Sequence, residues 1–188
     1  MRYPKGIKKD YQSIIHYDNR GMNLEDDLNT TNEYYRISDI ALIYKKPTPI
    51  TIAKVDYTSR CEAVIKEAYF KTPSTTDYNG LYKGKYIDFE AKETKLNNFP
   101  LKNIHNHQIE HLKKVRANGG IGFVIVSFVK HNKVFLLTIE KLIEYIKNNK
   151  QKSIPLSYFE KEGHIIKQNY SPRLDYLKII EKIYFKGD

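Results

Sequence analysis

The stretch Lys85-Tyr86-Ile87-Asp88-Phe89-Glu90-Ala91-Lys92 decides the fold. Apolar and polar residues alternate along it. An extended chain therefore puts Ile87, Phe89 and Ala91 on one face and Tyr86, Asp88, Glu90 and Lys92 on the other. Downstream, residues 101–116 predict an amphipathic helix with a stripe of Leu101, Ile104, Leu112 and Val115, closed by Gly119-Gly120. Residues 121–129 read as a buried strand and 134–137 as a second, joined through the turn-like His131-Asn132. Helices are predicted over Ile139–Asn148 and over residues 174–184. Upstream, residues 23–36 predict a helix with Leu24, Leu28 and Tyr35 on one face. Residues 40–44 form a short apolar strand stopped by Pro47 and Pro49, and Ile50-Thr51-Ile52 resumes extended structure. Residues 63–70 fit a strand or a short helix. Residues 73–80 are turn-rich, with Asn79-Gly80 as the strongest turn signal. This order specifies an α/β (α+β) domain with a mixed sheet.

Composition narrows the class. The chain has 188 residues, the length of one domain, and 32 Lys+Arg against 22 Asp+Glu give a net charge of +10. Hydrophobic residues at 40% and 16 tyrosines argue against disorder. No apolar run approaches a bilayer span, and no signal-peptide core follows the first residues, so no membrane and no export are expected. Cys61 has no intramolecular disulfide partner and suits a reducing cytoplasm. Basic charge is spread along the chain, as polyanion binding through phosphate contacts requires, and also as a merely soluble surface would have it. The acidic islands at residues 21–44 and 73–90 interrupt it and suit divalent metal ligands. Residues 1–20 are basic and weakly patterned, a flexible arm ahead of one domain at 21–188.

Asp77, Glu90 and Lys92 form the candidate site. Glu90 and Lys92 leave the same face of one strand, and Asp77 precedes them by a tight turn. Two carboxylates offer hard oxygen ligands for Mg²⁺, which takes one or two of them plus water and phosphate. A lysine beside them can orient or deprotonate an attacking water, or stabilise charge growing on phosphorus. An ordinary Glu–Lys pair on a solvated strand is the competing reading.

Longer words surround that pattern: Ser74-Thr75-Thr76-Asp77-Tyr78-Asn79-Gly80, Tyr86-Ile87-Asp88-Phe89-Glu90-Ala91-Lys92-Glu93-Thr94 and Phe99-Pro100-Leu101. Asn32-Glu33-Tyr34-Tyr35, Lys45-Lys46-Pro47-Thr48-Pro49-Ile50 and Ser171-Pro172-Arg173-Leu174-Asp175-Tyr176 extend them from about Arg20 to Tyr176. On these words the chain resembles the RecU family of Holliday junction resolvases. The resemblance implies a restriction-endonuclease-like PD-(D/E)XK fold with a mixed central sheet flanked by helices. It implies a homodimer that cuts four-way junction DNA with Mg²⁺, Mn²⁺ substituting, in recombination and repair, alongside recombinase and branch-migration proteins. It places Thr75, Asp77, Glu90 and Gln108 at the metal and Lys92 as the transition-state lysine. It also implies a stalk at about 47–70. Two departures, a slightly short spacer between Thr94 and Phe99 and no glycines before Lys152-Ser153-Ile154-Pro155, fall in expected loops.

Other residues keep open readings. On a helix wheel from Leu101, Gln108 lies central in the apolar stripe, as a core amide bonded to backbone or as a group reaching metal-bound water. His107, Glu110 and His111 match the H-x-x-E-H zinc signature and would make the chain a zinc peptidase. Set against that, His105, His107 and His111 are expected at the surface near DNA phosphates. Glu25 approaches the metal from the first helix, or is simply solvated. Arg20, Lys45, Lys46, Arg60, Lys95 and Lys102 are candidate DNA contacts, with Tyr69 and Phe70 stacking on junction bases. A catalytically inactive junction-binding module is the alternative from a different class.

Overall fold

The computed structural model describes residues 23–57, 59, 62–71 and 75–185. Helix α1 (Leu24–Ile37) leads to strands β1 (Leu42–Lys45), β2 (Ile50–Asp56), β3 (Val64–Phe70), β4 (Tyr78–Tyr82), β5 (Lys85–Thr94) and β6 (Asn98–Pro100). Helix α2 (Asn106–Ala117) and strands β7 (Ile121–Phe128) and β8 (Lys133–Thr138) follow. The chain continues through α3 (Ile139–Asn148), β9 (Ser153–Pro155), α4 (Leu156–Glu162), β10 (His164–Ile166) and α5 (Leu177–Tyr184).

Six strands form the main sheet in the order β1-β4-β5-β7-β8-β10. β5 and β7 run parallel, from Ile87 opposite Ile121 to Thr94 opposite Phe128; the other neighbours are antiparallel. A parallel pair needs a crossover, and the segment through β6 and α2 provides it. Alternation then sorts the core. Ile87, Phe89, Phe123 and Ile125 pack with Leu24, Leu28 and Tyr35 of α1 and Ile180 of α5. Val124, Val126 and Phe128 pack on the other side with Leu112 of α2, Leu142 of α3 and Phe159 of α4. The sheet is mixed and covered by helices on both faces.

The expected turn at Asn79-Gly80 is instead the middle of β4, where Gly80 lies opposite Ile43 on β1 and Ile87 on β5. A Cβ on Gly80 would sit 2.0 Å from the Leu42 carbonyl oxygen and 2.6 Å from the Ile43 Cα. Glycine is required there by close approach of a neighbouring strand, not by a turn. The turn comes at Lys83-Gly84, both with positive φ. The helix expected from residue 101 starts later. Leu101 to Asn103 make a single 3₁₀ turn, and Ile104 is extended before His105 caps α2. Leu101 is held back because its N–H donates to the Lys152 carbonyl at 2.9 Å. The two departures in expected loops meet here: β6 pairs with β9, Phe99 opposite Ile154. Strand β10 and helix α4 have no counterpart in the sequence reading, and α5 begins three residues after the predicted start because Leu174 is taken up in a bridge to Gln168.

Residues 63–70 resolve as strand. β2 and β3 pair only with each other, and every residue of both is exposed. Lys71 N–H donates to the Pro49 carbonyl at 3.0 Å and closes the root of this hairpin.

Candidate active site

β5 carries the charged groups inward. Asp88 and Glu90 are both fully buried, although charged side chains are almost never so unless paired. Asp77 stands just before β4, half-buried, and its Oδ2 accepts from the Ala91 N–H at 3.4 Å. The Lys92 ammonium lies 3.6 Å from that oxygen and in contact with Oε1 of Glu90. Asp77, Glu90 and Lys92 therefore meet. Neither Glu90 oxygen accepts a hydrogen bond of normal geometry, even with the Lys92 ammonium against one of them. Burial, and next the Asp77 charge, push the Glu90 carboxyl up to about 7 against the pull of Lys92. Burial works against the Lys92 ammonium, but the two carboxylates outweigh it and its pKa is raised.

Asp77 and Lys92 open on a cleft of about 580 Å³, and the fully buried Glu90 lies behind its wall against Lys92. Asp77, Lys92 and Thr75 line it from the sheet, Glu25 from α1, and Lys46 and Pro47 from the chain after β1. Helix α1 is fixed at this point by two carboxylate or amide oxygens. Asn23 accepts from the Asp26 N–H at 2.9 Å, and Glu93 of β5 accepts from the Leu24 N–H at 2.8 Å. The geometry suits a cation. Asp77 faces a cleft with room for a phosphate, and Glu90, both of its oxygens short of hydrogen-bond donors, lies buried just behind it. Among the described residues no three His, Cys, Asp or Glu side chains gather, which excludes a protein-only cage but not the one or two carboxylates that Mg²⁺ takes.

Asp88 was passed over by the sequence reading. Its Oδ2 receives Lys46 Nζ at 2.8 Å, the Tyr86 hydroxyl at 2.8 Å and His111 Nε2 at 3.0 Å, while the Thr76 hydroxyl bonds Oδ1. The signal was there: a second carboxylate two residues from Glu90 on the same face of an alternating strand.

A family model, recombination protein U (RecU), matches residues 19–182. The chain belongs to the RecU family. A Holliday junction resolvase RecU of Geobacillus sp. (strain WCH70) is 58% identical over 173 residues, 90% of this chain and 86% of that protein. Those of Geobacillus thermodenitrificans and Bacillus mycoides are 56% and 49% identical, each with 98% of both chains covered. The solved structure of Archaeoglobus fulgidus Hjc, a Holliday junction resolvase, aligns with 77% of this chain and 95% of that one at 14% identity and a TM-score of 0.47.

Lys45 pairs with Glu25, and Lys46 with Asp88 and Thr76, so both ammoniums expected on DNA phosphates are already engaged with carboxylates. Lys95 and Lys102 are exposed, as are Tyr69 at 60% and Phe70 at 84%. Arg20, Arg60, Cys61 and the 1–20 arm lie outside the described residues. Gln108 is buried on α2, and its Oε1 accepts from the His105 N–H at 2.9 Å. The zinc reading fails on geometry. His111 is bound to Asp88, Glu110 pairs with Lys113 at 2.7 Å, and His107 stacks on His105 with ring centroids 5.4 Å apart. No helix among the described residues is long and apolar enough to cross a membrane.

Proposed function

We propose that this chain is a structure-selective endonuclease that resolves four-way DNA junctions, working as a cytoplasmic homodimer with Mg²⁺, for which Mn²⁺ substitutes. The observation that carries the reading is Glu90: a buried carboxylate with unbonded oxygens beside Asp77 and Lys92, in a family whose relatives are named Holliday junction resolvases. Burying such a charge is unfavourable unless a cation completes it. Asp77 and Glu90 would hold a divalent cation, which when bound would supply Lewis-acid charge to the reaction.

The chain's own residues do the rest. Lys92 stands against both carboxylates, which raise its pKa in the metal-free protein. It serves by placing positive charge against the phosphate oxygens as water adds to phosphorus and gives its proton to solvent, while the bond to the leaving sugar oxygen breaks and that oxygen takes a proton from solvent. Thr75 is supported by its place in the cleft wall. Gln108 rests on the resemblance alone, since its carbonyl oxygen is taken by His105. The net charge of +10 supplies attraction for the phosphate backbone. Two copies about a two-fold axis match the pseudo-two-fold junction and give paired nicks.

The test is a labelled four-way junction and a matched duplex, each incubated with protein and Mg²⁺, and again with EDTA. Symmetric nicks in the junction, absent with EDTA and from the duplex, are expected. Binding without nicking would make the chain a junction-binding module instead.

A further inference from the structure

The reading above employs Asp77, Glu90 and Lys92 and leaves Asp88 without a task. Yet Asp88 is fully buried, and a carboxylate withdrawn from water has to be held by partners. Two of its partners occupy particular places. Lys46 stands on the chain entering the β2–β3 hairpin, and Thr76 stands on the chain returning from it. The two oxygens of one carboxylate thus hold both legs of the hairpin, Lys46 on Oδ2 and Thr76 on Oδ1. The legs are also tied to each other, with the Lys46 N–H donating to the Asp77 carbonyl at 2.8 Å. Asp77 follows Thr76 directly, and Glu90 lies two residues from Asp88 on the same face of β5. Any slip of the return leg along β5 moves Asp77 relative to Glu90.

From this we infer that Asp88 is a positioning residue for the cation site. Through the Thr76 hydroxyl it fixes the leg that carries Asp77 in reach of Glu90, and through Lys46 it roots the hairpin at the same point. The inference rests on the reading of Asp77 and Glu90 as cation ligands. The seat of the hairpin and the spacing of the two carboxylates then share one anchor.

A network that only stabilises the fold would contain the same bonds, so the test compares two hydroxyls on the one carboxylate. Thr76→Val removes the tie to the leg; Tyr86→Phe removes a bond to Asp88 that holds no leg. Mn²⁺ binding to the DNA-free protein is followed by calorimetry, together with single-turnover nicking and junction affinity. Thr76→Val is expected to weaken Mn²⁺ binding about 10-fold or more. Its nicking falls at saturating junction while junction affinity holds, and Thr76→Ser restores both. Tyr86→Phe should keep Mn²⁺ affinity within about twofold of the original protein, as an outlying bond does. Thr76→Ala is run beside Thr76→Val, so that a misfolded valine variant still leaves a readable comparison. Wild-type Mn²⁺ affinity in the Thr76 variants, equal losses in Tyr86→Phe, or no recovery in Thr76→Ser would overturn the inference. Asp77→Asn is the control. If it loses Mn²⁺ binding while the Thr76 variants do not, only the positioning role falls. If it binds Mn²⁺ normally, the ligand reading itself falls.

Discussion

Strand β5 and the β2–β3 hairpin belong to one chain and obey opposite solvation rules. β5 sits mid-sheet and buries Asp88 and Glu90 completely, beside the fully buried Ile87 and Phe89. The hairpin leaves Ile52 half in water, and Tyr69 and Phe70 more so. Water would take the first pair of groups and reject the second set, so neither arrangement lowers the free energy of the isolated chain. Asp88 meets this burial with partners inside the chain, Lys46, Thr76, Tyr86 and His111, while the Glu90 oxygens stay short of donors and the hairpin rings stay in water.

The comparison is broken or sharpened most strongly by the same deletion made in each ladder. Phe89 lies stacked between Tyr78 and Phe123, with ring centroids 4.8 Å away on each side. Phe89→Ala should cost about 3–5 kcal/mol, read by denaturant unfolding. Glu90→Gln comes next. Nicking should fall by about 10²–10³-fold, as when a group stabilising transition-state charge is lost, while gel-shift affinity for the junction is retained. Normal nicking would remove Glu90 from the site.

The same residue gives a pH effect in the metal-free protein. Its carboxyl is raised from 4.5 to about 7 on folding, so between those values the folded chain holds a proton that the unfolded chain releases. The contribution of Glu90 to stability is therefore fully present below about pH 4.5 and is lost as pH rises through about 7, on the order of 3 kcal/mol in all. Glu90→Gln should flatten that slope and melt higher than the original protein at pH 8. An unchanged slope would place the carboxylate in a better-solvated setting.

Replacing residues 50–70 by a short Gly-containing turn should abolish most of the preference for junction over duplex. A tenfold loss corresponds to about 1.4 kcal/mol of discrimination. Circular dichroism should still report a folded core, because none of the described residues of that segment is buried. Smallest of all, Phe70→Ala should change stability by no more than about 0.5 kcal/mol, since its ring is 84% exposed.

How much was legible in the sequence follows the same division. Where one physical term governs, as in the alternation of β5, the apolar run of β7 and the Thr138-capped helix α3, the sequence reading and the structure agree. It failed where a distant strand decides. Gly80 answers to the backbone of β1, and Leu101 to a carbonyl on the chain entering β9, and neither neighbour is visible in a local window. The short β10 and α4 carry too few residues to show a period. At the site, Asp77, Glu90 and Lys92 come together as their spacing suggested. The bonds of Lys46 and His111 to Asp88 were not legible, because nothing in the sequence says that Asp88, far from both, lies inside with cationic and hydroxyl partners.

The bond between Lys71 and Pro49 has a consequence in chain entropy. It brings the two ends of the hairpin together on a core that is complete without it, so the loop between them is closed whatever its length. Doubling a closed loop raises its entropic cost by only about 0.6 kcal/mol. Lengthening or trimming the ribbon by whole pairs of residues therefore leaves the sheet almost undisturbed. The distance the ribbon reaches can vary among chains of this design while the carboxylates beneath it stay where they are.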